Sequence, residues 1–348
     1  MTKFYEYELQ KAAKSIIEDS LKLKKDETLI ITADTESDER VVDATASAAH
    51  AVGAKPLVIW NPAPLGIGKE ADSMLPVDAL TAVLKEADAW IEYNNKWLLY
   101  STPWERATDE NEKLRYLCLV SSDVDMMVRM VGRVDRKVLE NFMKDVTDLT
   151  KKAKHVRITT PAGTDLEFDN NPDYPIDCDA GDASTPGMYF LAGQIAWCPE
   201  LETINGTIVF DGSIDPPLGL LEDPVKLTVE DGKVTDIDGG KEAKEYEKWL
   251  NSFDDPNMFR LAHISYGFNP GAKLTGQALE DERIWGSTEW GLGYMNSHNY
   301  PPEGIDAPSH TDGICLDSSV WLDGEQLLEK GSVVHPKLKK YEDEFKNF

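Results

Sequence analysis

His310-Thr311-Asp312 sets an imidazole and a carboxylate two residues apart. In an extended strand alternate side chains share one face about 6.5 Å apart, so such a pair can close on a single cation. The same three residues also fit a turn histidine beside a helix cap, and for an isolated HxD that is the commoner outcome. A second imidazole bears on the choice. In Leu261-Ala-His-Ile-Ser-Tyr-Gly-Phe268 a period of two puts Leu261, His263, Ser265 and Gly267 on one face, with Ala262, Ile264, Tyr266 and Phe268 on the other. A face of His, Ser and Gly suits a cavity wall, although a buried histidine bonded to a backbone carbonyl fits this strand equally well when it is taken alone.

Two neutral imidazoles and one carboxylate form the ligand set of a facial triad, which holds Fe(II) or a similar divalent ion and keeps adjacent positions open. A structural zinc would close all four of its positions. Of the other histidines, His50 lies in a helical stretch, His155 begins a strand and His335 precedes Pro336, so each reads as structural. His298 differs, being flanked by Asn296, Ser297 and Asn299 in a polar loop shortly before His310.

The elements that must position these residues follow two grammars. Residues 1–153 alternate helical and strand patterns: a helix near Leu9 to Leu23, strand Thr28 to Thr32, helix Val41 to Val52, strand Pro56 to Trp60, helix Val77 to Glu86, then strands Ala89 to Tyr93 and Arg115 to Val120. Repeated crossovers of this kind build a doubly wound, mostly parallel α/β sheet. No GxGxxG or GxxxxGK[ST] follows the first strand, so no nucleotide fingerprint is present. Ligands of such sheets bind beyond the carboxyl ends of the strands, which singles out Trp97 and Tyr100 as pocket candidates. After a helix from about Arg136 to Lys154, residues 154–348 turn to short strands and tight turns, including a hairpin from Val225 to Ile237 turning at Asp231-Gly232. A β-rich second domain carrying the metal-binding residues is expected there.

A formal charge of −27 over 348 residues deprives the chain of the positive field that nucleic acid or an anionic membrane requires, so small molecules are the expected partners. The N-terminus has no basic stretch followed by an apolar run, and no stretch approaches the roughly 18 apolar residues of a membrane span, so a cytoplasmic location is expected. Cys118, Cys178, Cys198 and Cys315 are widely spaced, with no CxxC pair to bind zinc.

Glu247-Lys-Trp-Leu-Asn-Ser-Phe-Asp-Asp-Pro256, Leu261-Ala-His-Ile-Ser-Tyr-Gly-Phe-Asn-Pro270 and Ser309-His-Thr-Asp312, with the hairpin from Leu316 to Gly324, resemble the 2,5-dihydroxypyridine 5,6-dioxygenases. The likeness reaches weakly over nearly the whole chain, including Gly193-Gln-Ile-Ala-Trp-Cys-Pro199 and Gly206-Thr-Ile-Val-Phe-Asp211. It implies a homo-oligomeric, mononuclear Fe(II) enzyme that opens a hydroxylated aromatic ring with O2, its iron on His263, His310 and Asp312. The aminopeptidase T and S group shares the scaffold, and Asp281-Glu-Arg-Ile-Trp-Gly-Ser-Thr-Glu-Trp-Gly-Leu-Gly293 is similar to its pattern. That pattern implies a Glu at Gln194, another at His263 and a His at Glu289, enough to bridge two ions; a neutral amide at 194 bridges poorly, which favours one metal.

Tyr100 falls where the dioxygenase places a histidine beside its substrate, and Phe190 replaces another polar pocket residue, so the resemblance leaves room for a different hydroxylated ring. A phenol of pKa about 10 is a less available base than an imidazole. On this reading His298 or Tyr100 takes the proton of the substrate hydroxyl. Glu289, Ser297 and Asn296 orient substrate or oxygen, and Trp97, Phe190 and Gln194 complete the substrate side. Polar loop residues bonded only to backbone are the competing reading for Asn296, Ser297 and His298. A metal-dependent aminopeptidase-like hydrolase is the alternative function, and a binding protein with one structural zinc a third.

Overall fold

The computed structural model describes residues 5–345, and these form two compact units. One contains residues through Arg136 together with Gly181–Ala192; the other contains Lys137–Ala180 and Gly193 onward. The single boundary expected after residue 153 differs from this division in two respects. The helix Arg136–Lys152 counts almost wholly with the second unit, and the short strand Gly187–Phe190 returns to the first.

In the first unit five strands lie in the order Lys55–Asn61, Thr28–Asp34, Ala89–Glu92, Arg115–Cys118 and Gly187–Phe190, and every pair is parallel. The central strands are buried on both faces, which is why they read as unbroken apolar runs rather than alternating ones. Helix starts are chemically marked. Asp38 accepts from the Arg40 N–H ahead of Glu39–Ala51, and Ser101 accepts from the Trp104 N–H ahead of Thr102–Glu110. That second helix, with Pro103 in its first turn, is an addition to the elements expected from the sequence, although Ser-Thr-Pro is a start signal.

In the second unit an eight-stranded sheet runs Lys233–Gly239, Val225–Glu230, Asn205–Phe210, Asp165–Asp169, His155–Thr159, Ser319–Leu322, Glu325–Glu329 and Ser332–Val333, antiparallel throughout. Its tight turns at Asp231-Gly232, Asp323-Gly324 and Lys330-Gly331 have positive φ at both places, as two-residue hairpin turns require. A seven-stranded antiparallel sheet runs Gly219–Leu220, Ser213–Asp215, Ile305–Cys315, Thr288–Met295, Leu261–Gly267, Gln194–Trp197 and Ile176–Cys178. The sheets meet through apolar faces, with Trp290 edge-on to Phe168 at 5.6 Å. Gly313 lacks a Cβ where the Phe210 ring would lie 2.4 Å away. No helix among the described residues is long and apolar enough to cross a membrane.

Candidate metal centre

Three adjacent strands of the seven-stranded sheet build the site, and strand register decides which side chains meet. Ser265 lies opposite Glu289 and His263 opposite Gly291; on the other edge of the middle strand Gly291 lies opposite Asp312 and Gly293 opposite His310. Directly paired residues share a face. His263, Ser265, Glu289, His310 and Asp312 therefore project together, as the two-residue period predicts for His263 with Ser265 and for His310 with Asp312. Leu261 does not join them. A register shift between Leu261 and His263 pairs Leu261 with Leu292, so this bulge flips the pleat and sends Leu261 to the opposite face.

The middle strand contributes an absence. The His263 and His310 rings are stacked within 6° of parallel, with centroids 5.1 Å apart. A Cβ on Gly291 would lie 2.3 Å from His263 Cε1 and Nδ1, and 2.9 Å from His310 Cε1, so the arrangement requires glycine there. Period-two glycines in Trp290-Gly-Leu-Gly293 carried that signal, which sequence reasoning passed over.

His263, His310 and Asp312 each offer a ligand atom within 4.8 Å of the other two, the metal-competent cluster among the described residues. His310 Nδ1 lies 2.7 Å from the Tyr294 carbonyl, a contact that fixes the proton on Nδ1 and turns the Nε2 lone pair toward Asp312 Oδ1, 2.9 Å away. His263 Nε2 faces two carboxylates, Glu289 Oε1 at 2.7 Å and Asp312 Oδ1 at 3.6 Å. Glu289 Oε1 is buried, yet it is aligned for no hydrogen bond. Two imidazoles and a carboxylate, with a further under-satisfied carboxylate against one ring, make a donor set that fits a divalent cation.

The electrostatics are those of a site short of positive charge. Burial pushes the Asp312 carboxyl well above its usual range, and the neighbouring Glu289 charge adds to the push. Burial acts most strongly on Glu289 and would raise it, but the adjacent His263 charge, together with hydrogen bonding from His263, Asp312 and Ser265, outweighs it and holds that carboxyl at about 2. Burial alone would depress His263; Glu289 more than offsets it and leaves the imidazole above its ordinary value. His310 is depressed, by burial first.

A polar chain lies behind this face. Fully buried Arg283 donates to Gln194 Oε1 at 3.2 Å, to the Leu279 carbonyl at 2.8 Å and to Glu282 at 2.9 Å. With its oxygen so engaged, Gln194 donates Nε2 to Glu289 Oε2 at 3.0 Å and to Ser265 Oγ at 3.3 Å, and Ser265 in turn donates to Glu289. Both ends of the Gln194 amide are thus committed to protein groups, which departs from the substrate-side position expected of it. Burial pushes Glu282 up to about 7 against the pull of Arg283. Arg283 and Glu282 are members of the site's surroundings that the sequence patterns leave unassigned, although both lie in a quoted motif.

The remaining expected residues fall in both units. Asn296 uses Oδ1 to accept from the His298 and Asn299 N–H groups at 3.0 and 2.9 Å, the backbone-bonded alternative, while Ser297 and His298 are exposed and stand outside the cluster. Tyr100, Trp97 and Phe190 belong to the first unit. Trp97 and Tyr100 follow the carboxyl end of strand Ala89–Glu92, and Phe190 ends strand Gly187–Phe190, opposite Cys118.

The family profile described as NicX, 2,5-dihydroxypyridine 5,6-dioxygenase, matches residues 9–335. The chain belongs to this family. A 2,5-dihydroxypyridine 5,6-dioxygenase of Pseudomonas putida KT2440 is 26% identical over 324 residues, covering 86% of this chain and 89% of that protein. In fold, the chain is similar to the structure of 2,5-dihydroxypyridine dioxygenase from Pseudomonas putida KT2440, with a TM-score of 0.78, 22% identity, and coverage of 96% of this chain and 99% of that one. AmpT, an aminopeptidase T from Thermus thermophilus, shares the fold at a TM-score of 0.70 and 16% identity, over 95% of this chain and 100% of its own. Membership in this family supports an oxidative, ring-cleaving enzyme, and the fold common to both groups is the one the sequence motifs anticipated.

Proposed function

We propose that the protein is a mononuclear Fe(II) dioxygenase that opens a hydroxylated N-heteroaromatic ring, 2,5-dihydroxypyridine or a close relative. The observation that carries this reading is the convergence of His263, His310 and Asp312 in a chain of the dioxygenase family. Held by those three side chains, ferrous iron would supply a meeting point for a ring oxygen and O2 and a path for electrons between them.

The protein's own part is orientation and proton handling. The Tyr294 carbonyl fixes the His310 tautomer, and Gln194 and Ser265 hold Glu289 against His263, so the ligand faces are set before any reactant arrives. His298 or Tyr100 is the proposed acceptor of the substrate hydroxyl's proton. The partners on this reading are the ring and O2, in a cytoplasmic homo-oligomer.

Oxygen-electrode measurement on protein loaded with iron without air tests the proposal, with hydroxylated pyridines and related rings as substrates. Ring-dependent uptake with one iron per chain is expected. No uptake with any ring, together with amino acids released from peptides, would transfer the assignment to the hydrolase class whose fold AmpT shares.

A further inference from the structure

Arg283 lies fully buried in the second unit, just after the short helix Ala278–Asp281. A guanidinium taken out of water is costly unless its N–H groups find acceptors, so the position calls for a reason. One of its terminal nitrogens donates to the Leu279 carbonyl at 2.8 Å and to Glu282 at 2.9 Å, partners from its own turn of chain. The other donates to Gln194 Oε1 at 3.2 Å and to Asp179 at 3.4 Å, both far away in sequence.

Backbone contacts bring the guanidinium to Gln194. The loop that carries Arg283 is pressed onto the end of strand Leu261–Gly267: a Cβ on Gly267 would lie 2.2 Å from the Ile284 carbonyl oxygen and 2.8 Å from the Arg283 carbonyl carbon. Only glycine lets the two backbones come so near. The Asn269 N–H donates to the Arg283 carbonyl and the Gly286 N–H to the Gly267 carbonyl, each at 2.9 Å. Gly267 in turn lies opposite Gln194 in the sheet.

A guanidinium can only donate, whereas a primary amide has one accepting end and one donating end. With Arg283 on its oxygen, Gln194 must turn its NH2 to the far side, where Glu289 Oε2 and the Ser265 hydroxyl receive it. Ser265 donates to the same Oε2. Both donors thus fall on one oxygen of Glu289, and the other, Oε1, stays buried, aligned for no hydrogen bond, 2.7 Å from His263 Nε2. Turned over, the amide would set its own oxygen against Oε2, and two acceptors in contact would drive the carboxyl to rotate.

We propose that Arg283 is a positioning residue for the metal: by taking the Gln194 oxygen it fixes the polarity of that amide, which pins Glu289 through Oε2 and keeps Oε1 against the His263 nitrogen. This rests on the proposed function only in that His263, His310 and Asp312 take ferrous iron. Arg283 acts through Gln194 and Glu289.

The test is the dissociation constant of ferrous ion, read by calorimetry on the full chain without oxygen, together with the electron paramagnetic resonance signal of the bound iron's nitric oxide adduct. R283M and Q194L are each expected to weaken iron binding about tenfold, as loss of a group that orients metal ligands does. The double variant should lose no more than either alone, because residues acting in one chain are not additive. Each should also alter the resonance signal, which a variant that only lowers stability would leave as in the wild type. R283K keeps a cationic donor for the Gln194 oxygen and should restore most of the affinity and the signal. Wild-type affinity and signal in R283M, additive losses in the double variant, or R283K binding as poorly as R283M would overturn the proposal. Should R283M fail to fold, R283M/E282Q, which also removes the carboxylate left without its partner, replaces it with E282Q as the reference and the same criteria. Coupled iron binding without ring-dependent oxygen uptake would sink the dioxygenase reading and leave Arg283 as the positioning residue; a wild type that binds no iron would overturn both.

Discussion

Glu92 and Glu289 are fully buried glutamates on strands, and their carboxyl groups are driven in opposite directions. Burial pushes Glu92 up to about 7, since its partners are neutral donors: two backbone N–H groups and a tyrosine hydroxyl. Glu289 meets the same burial but is held at about 2, because an imidazole that can carry charge lies 2.7 Å away. Depth is equal; the company differs. A carboxyl closed around its own backbone serves local shape, whereas one turned toward two imidazoles and a second carboxylate belongs to a donor set that fits a cation.

Removing the charged companion should break this contrast most strongly. His263→Ala takes away a proposed ligand and leaves Glu289 buried beside one imidazole fewer. Iron retention and ring-dependent oxygen uptake are expected to vanish in metal analysis and electrode traces, with a stability loss of about 3 kcal/mol by urea unfolding. Full activity in this variant would remove His263 from the ligand set.

The opposite region yields a smaller, pH-dependent effect. Folded Glu92 keeps its proton up to about pH 7, while the unfolded chain ionises near the ordinary value of 4.5. The folded state therefore binds more protons across that window, and wild-type stability falls as pH rises through it. Glu92→Gln cannot ionise, so from roughly pH 4.5 to roughly pH 8 its stability relative to wild type should climb by up to about 3 kcal/mol, at about 1.4 kcal/mol for each tenfold in proton affinity. Denaturant titrations at the two ends of the range would show it, and parallel curves would mean that Glu92 ionises normally.

The least effect belongs to the polar loop. His298→Ala alters an exposed side chain outside the cluster, so iron content should match wild type and stability change by less than about 0.5 kcal/mol. Any consequence should be confined to turnover, and a large drop in bound iron would place His298 among the ligands.

The candidate metal face was legible because sheet periodicity is rigid: residues two apart on a regular strand stay together, which is why His310 with Asp312 and His263 with Ser265 were readable. Leu261 was misassigned to that face because a bulge adds a residue without leaving a compositional mark. Gln194 was expected to face substrate, but Arg283 claims its oxygen, a contact between residues far apart in the chain that no local pattern encodes. The parallel sheet was legible from its apolar runs except for Gly187–Phe190, a short strand that joins it only after an excursion through the other unit. Asn296 illustrates the reverse difficulty. A polar residue in a loop looks the same on paper whether it awaits a ligand or, as here, folds its amide back onto the next few peptides.

The hold on His310 comes from the Tyr294 main-chain carbonyl rather than from a side chain. Mutation at position 294 cannot delete that acceptor, so the ring is aimed by an atom common to every amino acid. Tyr294 itself is 43% exposed and open to replacement, and related sequences can drift there without disturbing the imidazole beneath.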